Sequence, residues 1–160
     1  MIDYTEHASP LGPLLLAASE QRLIGVYFAE HKHFKGAQDW RRTGDHALLR
    51  QAGAQLDDYF AGRRTEFDLP LDLRGTEFQQ GVWRALCAIS FGQTRTYGQH
   101  AQAVGNPKAV RAVGAAIGRN PLSIVVPCHR VLGATQGLTG YAGGLERKRA
   151  LLALEGVRPG

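Results

Sequence analysis

The run Ser123-Ile124-Val125-Val126-Pro127-Cys128-His129-Arg130-Val131 places a thiol, an imidazole and a guanidinium side by side behind a proline. A thiolate is a strong nucleophile, but a free cysteine ionises at about pH 8.5, so only a few per cent is thiolate at neutral pH. Activation needs a base or a positive field, and His129 and Arg130 are the nearest groups able to supply one. Neighbours on an extended chain point to opposite sides. His129 therefore serves Cys128 only if the backbone turns sharply there or a water bridges the two. The ordinary alternative is an inert thiol beside a solvated His-Arg pair. Cys87 follows Trp83 by four positions on a stretch rich in core residues, which reads as a buried, structural cysteine.

Neither cysteine belongs to a CxxC pair, so a thiolate zinc site is not expected, and two cysteines do not make a secreted disulfide framework. His31 and His33 would face one way on a strand and could hold a metal there. Solvated loop histidines are the expectation, and neither a metal nor a cofactor is expected. Glu155 falls in the last turn of the final predicted helix, where a carboxylate opposes the helix dipole by about a few tenths of a kcal/mol. An imidazolium partner would account for it, as would a solvated position.

The elements that must position these groups change character near residue 75. Leu14–Ala18 and Leu23–Phe28 read as a strand pair, and His31–Asp45 as loop. Ala47–Phe60 has apolar residues at helical spacing and is stopped by Gly62, and a short strand is expected around Leu69–Leu73. Beyond that point helices dominate. Thr76 with Gln79 and Thr96 with Gln99 are capping-box patterns. Phe78, Val82 and Leu86 recur behind the first, with Trp83 widening the stripe. Asn106-Pro107 supplies an N-cap and an N1 proline for a helix from Lys108 to about Gly118. The Ser123–Val126 run reads as a strand ended by Pro127, and a last helix spans Leu145 to Glu155. The expected fold is thus an α/β N-terminal domain over residues 1–75, a small antiparallel sheet plus a helix, followed by a mostly α C-terminal domain over 76–160 containing a helix-turn-helix.

The second helix of that pair is unusual. Val110, Val113 and Ile117 should face the core. Arg111, Gly114, Ala115 and Gly118 share another face, nearly bare apart from one arginine. Long polar side chains that read bases in the major groove are missing. A smooth helix lets backbone approach a partner closely, as in a minor groove with little sequence preference. It equally suits tight packing against another helix.

The chain has 160 residues with 44% hydrophobic and 21% charged, enough for one full core or two small ones. The net charge of +5 is compatible with a polyanionic partner without requiring one. No signal-like segment is evident, and Leu14–Ala18 is too short to span a membrane, so a cytoplasmic protein with free thiols is expected.

Pro127–Val131, "PCHRV", with "GNPKAVRAVGAAIGRNP" at Gly105–Pro121 and "GLTGYAGG" at Gly137–Gly144, resembles the O6-alkylguanine-DNA alkyltransferases, the methylated-DNA–protein-cysteine methyltransferases. The likeness runs from Thr76 to about Gly156, and the N-terminal part shares only general character. The resemblance implies direct, stoichiometric and irreversible repair. O6-alkylguanine is flipped from duplex DNA, with O4-alkylthymine a further candidate, and its alkyl group passes to Cys128. It implies His129 as base through a bridging water, oriented by Glu155, and Tyr97 as donor to the leaving base. Asn120 would be the hinge between recognition helix and active strand. Arg111 would occupy the space of the extruded base, with Ala109, Ala112, Gly114, Ala115 and Arg119 along the DNA. Tyr141, Ala142 and Gly143 would wall the substrate pocket, and the carbonyls of Cys128 and Val131 would accept from the guanine amino group.

Two departures matter. Ala142 stands where some members carry serine, so a backbone N–H must serve there. The N-terminal zinc ligands of some members are absent, since no cysteine precedes Cys87. The partner implied is duplex DNA containing alkylated bases and no membrane, with a monomer expected in solution and cooperative assembly on DNA left open. The rival readings are a lesion-sensing DNA-binding protein that does not repair, a helix-turn-helix regulator, and a cysteine hydrolase using Cys128, His129 and Asn120.

Overall fold

Short apolar runs separated by short polar turns make the first thirty residues a sheet. β1 (Asp3–His7), β2 (Leu14–Ala18) and β3 (Leu23–Phe28) pair antiparallel in that order, and Leu14, Leu16, Leu23, Val26 and Phe28 are buried in the core. The structure is a computed structural model and describes residues 1–30, 36–37, 39–134 and 137–158. His31 and His33, read above as solvated loop, lie outside the described residues.

The sheet is mixed, not purely antiparallel. β4 (Arg41–Arg42) adds to β1 in parallel, giving the order β3-β2-β1-β4. It lies inside the stretch expected to be loop. Two exposed arginines carry no periodic signal. The pairing is accompanied by a fork of two 2.9 Å hydrogen bonds from Arg41 to Asp3. The strand expected around Leu69–Leu73 shrinks to a single bridge between Leu71 and Leu23. Leu23 N–H donates to the Pro70 carbonyl, and Pro70 has no N–H to extend the ladder.

α1 (Ala47–Phe60) covers the expected residues, packs on β2, and ends before Gly62 at φ +77°. Its inner face is Leu48, Leu49, Ala52, Leu56 and Tyr59. α2 (Glu77–Leu86) and, after β5 (Arg95–Thr96), α3 (Tyr97–Ala103) both begin with reciprocal capping boxes, at Thr76/Gln79 and Thr96/Gln99. α2 buries Val82, Trp83 and Leu86. Phe78 in its first turn is 41% exposed, because the helix docks through its later turns. Cys87, expected to be buried, is exposed at the C-cap of α2, where the helix has already ended.

α4 (Val110–Gly118) starts later than the Asn106-Pro107 signal suggests. Ala109 N–H donates to the Asn106 carbonyl at 3.0 Å, so residues 106–109 close a turn of their own before the helix. Val110 is consequently 38% exposed; Ala109 packs against the core in its place, and the buried stripe is Val113, Ala116 and Ile117. Trp83 Nε1 donates to the Ala116 carbonyl at 2.8 Å, fastening α4 to α2.

The Ser123–Val126 run is not a strand. Val126 N–H returns to the Leu122 carbonyl, Val125 N–H to Ser123, and Ile124 sits at φ +73°, a strained position for a β-branched residue. Asn120 holds this coil: its Nδ2 donates to the Val126 carbonyl at 2.8 Å, and its Oδ1 accepts from Leu122 N–H at 2.9 Å. Leu122 bridges to Val26 of β3. A single turn of 3₁₀ helix at Cys128–Arg130 leads into β6 (Val131–Leu132), parallel to β5. α5 (Leu145–Leu154) closes the fold with Glu155 as its C-cap. No helix among the described residues is long and apolar enough to cross a membrane.

Candidate active site

Cys128 and His129 stand on a single 3₁₀ turn, so the backbone between them bends instead of extending. Cys128 is 6% exposed and His129 fully buried. His129 Nε2 lies 2.8 Å from Glu155 Oε2. A carboxylate can only accept, so Nε2 carries the proton and Nδ1 is the unprotonated ring atom. Nδ1 is buried and meets no hydrogen-bond partner among the described residues. Burial depresses the pKa of His129, Glu155 opposes that, and Arg130 and Lys148 add to it. The imidazole is therefore poised as a neutral proton acceptor.

Burial pushes the Cys128 thiol up, so the resting group is protonated. Asn120, the Lys148 ammonium and Tyr141 offset part of that cost. Arg130 is not the source of positive field that its position next to His129 suggests. Its Nε donates to Glu155 Oε1 at 2.8 Å and its Nη2 to Oε2 at 2.9 Å, so its charge is spent on the carboxylate. Glu155 is buried at the C-terminal end of α5, against the helix dipole. Burial works to raise its pKa, yet hydrogen bonds from His129 and Arg130 hold it far below the usual carboxylate range. Tyr59 Oη adds a third donor at 2.6 Å, and Gly92 N–H lies 3.4 Å from Oε1.

Lys148 was not anticipated. It is fully buried, and its Nζ donates to the carbonyls of Val131 at 2.7 Å and Thr139 at 2.9 Å. Burial lowers its pKa to about 8, which leaves it charged at neutral pH, within electrostatic reach of Cys128. The signal for it was a charge at the head of the Lys148, Leu151, Leu152 stripe that α5 buries. The Val131 carbonyl, expected to receive a guanine amino group, thus already accepts a hydrogen bond from Lys148 Nζ.

Tyr97, at the start of α3, joins this site to α4. Its hydroxyl accepts from Thr139 Oγ1 at 3.2 Å, its ring lies 5.9 Å from Lys148 Nζ, and Gly114 of α4 faces its edge. Burial raises the pKa of this phenol, which keeps it a proton donor. On α4, Arg111, Ala112 and Ala115 are exposed, Arg119 follows exposed at the C-cap, and Ala109 and Gly114 are half-buried. Tyr141 and Ala142 are partly buried, Tyr141 with its ring against Phe28, and Gly143 is buried under Phe28. Among the described residues no group of three or more His, Cys, Asp or Glu is gathered that could hold a metal.

Gly143 marks a close approach. A Cβ there would stand 2.5 Å from Phe28 Cδ2 and 2.9 Å from Tyr141 Cε2, both on packed rings. Gly143→Ala is expected to cost about 1–3 kcal/mol in urea unfolding through overpacking and to displace Tyr141. An unchanged unfolding midpoint would show that this wall yields freely.

A family model described as 6-O-methylguanine DNA methyltransferase, DNA binding domain, matches residues 77–157, and one described as 6-O-methylguanine DNA methyltransferase, ribonuclease-like domain, matches residues 2–73. The methylated-DNA–protein-cysteine methyltransferase of Mycobacterium tuberculosis is 51% identical over 158 residues, covering 99% of this chain and 94% of its own length. The protein of the same name from Methanosarcina acetivorans is 50% identical over 154 residues, covering 96% and 97%. The crystal structure of Mycobacterium tuberculosis OGT in complex with DNA has a TM-score of 0.90 at 50% identity, covering 96% of this chain and 92% of that one. With a buried thiol–imidazole–carboxylate set in "PCHRV" and matches along nearly its whole length, the chain belongs to the methylated-DNA–protein-cysteine methyltransferases.

Proposed function

We propose that this chain repairs O6-alkylguanine in duplex DNA by moving the alkyl group to Cys128. The observation that carries the reading is the His129–Glu155 hydrogen bond, which leaves Nδ1 as the basic atom of the residue following the thiol. His129 takes the thiol proton, through one water. The thiolate attacks the alkyl carbon, the S–C bond forms as the C–O6 bond breaks, and Tyr97 supplies a proton to the departing guanine. Lys148 lowers the cost of the thiolate, and Asn120 fixes the loop that presents it. The thioether is stable, so each chain acts once.

α3 and α4 serve as a helix-turn-helix on DNA. Ala109, Ala112, Gly114, Ala115 and Arg119 lie along the backbone of the duplex, and Arg111 fills the gap left by the flipped nucleotide. Val131, Tyr141, Ala142 and Gly143 line the pocket. The division is residues 1–75 as support and 76–160 as DNA-binding and acceptor part, in a cytoplasmic monomer.

The test is the intact mass of the protein after incubation with a duplex carrying O6-methylguanine. One added methyl, mapped to Cys128, is expected. An unchanged mass from a folded preparation overturns the reading. Arg111→Ala is expected to slow transfer from duplex DNA about tenfold or more while leaving reaction with the free modified base unaltered, since only the duplex must be opened.

A further inference from the structure

Among the described residues, Tyr59 contributes the one hydrogen bond to Glu155 that comes from the sheet-bearing half of the chain, 96 residues away in sequence. Its ring needs no hydroxyl to pack. It sits among Phe60 and Phe67, each with its centroid 5.4 Å away, and Phe91 at 6.2 Å, and it is fully buried on a helix face whose other buried polar residue, Gln55, bonds to the backbone of Asp68. A phenylalanine would fill the same space. The hydroxyl instead points at Glu155 Oε2, the same oxygen that accepts from His129. Burial and the adjacent carboxylate push this phenol far up, so it remains a proton donor around neutral pH. The 2.6 Å separation is that of a charge-assisted O–H···O⁻ bond.

We propose that Tyr59 is a positioning residue for alkyl transfer: by drawing charge from Glu155 Oε2 it sets how strongly that carboxylate holds a proton on His129. This rests on the reading of His129 as the base. An imidazole that protonates too easily can no longer accept the Cys128 proton. The charged and titratable groups around it act in known directions. Glu155 at the end of α5 favours the imidazolium, and Arg130 on the same 3₁₀ turn and Lys148 on α5 disfavour it. Tyr59 from α1 and the Gly92 N–H temper Glu155, and Cys128 is the proton's source. Removing the Tyr59 hydroxyl strips one donor from Oε2 and leaves more of its charge facing His129.

Tyr59→Phe is therefore expected to raise the titration midpoint of His129 by about half a pH unit or more, read by NMR of the imidazole nitrogens and assigned by its loss in His129→Gln. The acid limb of the methyl-transfer rate should move up by the same amount. The NMR arm needs no DNA, so it stands even if the alkyl-transfer reading fails, and methylation of the parent chain tests that reading separately. A His129 midpoint unmoved in folded Tyr59→Phe overturns the proposal. So does a rate lowered equally at all pH values, or a variant that does not fold, since either makes the hydroxyl purely structural.

Discussion

In the Cys128→Ser chain, methyl transfer from O6-methylguanine is expected to fall by at least about 10⁴-fold while binding to duplex DNA should persist. The loss is this large because the site is built to ionise a thiol and nothing weaker. Burial already pushes the Cys128 thiol up, and the offsetting groups are Asn120, a lysine held at about 8 and Tyr141. A hydroxyl starts far less acidic than a thiol and is a poorer nucleophile, so the same neutral imidazole cannot supply the difference. Binding should survive, because the face of α4 proposed to meet DNA, with Arg111, Ala112 and Ala115 exposed, is distinct from the buried turn carrying residue 128. Single-turnover transfer measured beside a binding titration checks both halves. A methyl found on another side chain of the variant would show that the acceptor has been misassigned.

What was legible in the sequence was local. β2, β3 and α1 follow from apolar periodicity within one element, and the capping boxes at Thr76 and Thr96 are closed between residues three apart. The family inferred from three motifs after Thr76 is the one found, and the match extends over residues 2–73, where the sequence showed only general likeness. What was hidden depended on distant partners. The Ser123–Val126 run is rich in β-branched residues and would extend if alone. Asn120 takes the Val126 carbonyl and the Leu122 N–H that a strand would offer a neighbour, and the run coils. Arg130 seemed free to activate the thiol until Glu155, 25 residues on, claimed it. Lys148 and Tyr59 are ordinary members of helix stripes until their polar ends find carbonyls and a carboxylate in other elements. Pattern reading finds the Cys128-His129-Arg130 cluster because it is contiguous. It locates the groups that tune the nucleophile poorly, because each sits on a different element.

Glu155→Ala is the second large effect, and it strikes stability and rate together. The carboxylate accepts from His129, Arg130 and Tyr59 in a site its side chain shares with no solvent. Its removal leaves the Arg130 guanidinium buried without a counter-charge, a loss of about 3–5 kcal/mol. For a chain of this size that lowers Tm by roughly 6–20 °C. Transfer should fall by about 10²-fold or more, because His129 loses the acceptor that fixes its tautomer and leaves Nδ1 basic. The acid side carries the sign. The folded-state pKa of Glu155 lies far below its unfolded value, so its contribution is complete above about pH 4.3 and drains away as pH falls towards the folded value. The stability gap between parent and variant, measured by urea unfolding, should be widest near neutrality and narrow below about pH 4. Pairing Glu155→Leu with Arg130→Met removes both charges and should recover part of the stability. Recovery stays partial because Tyr59 Oη and His129 Nε2 still lack an acceptor, and transfer stays low. A Glu155→Ala chain as stable as the parent at pH 7 would mean that Arg130 finds another anion, and the ionic core described here would be wrong.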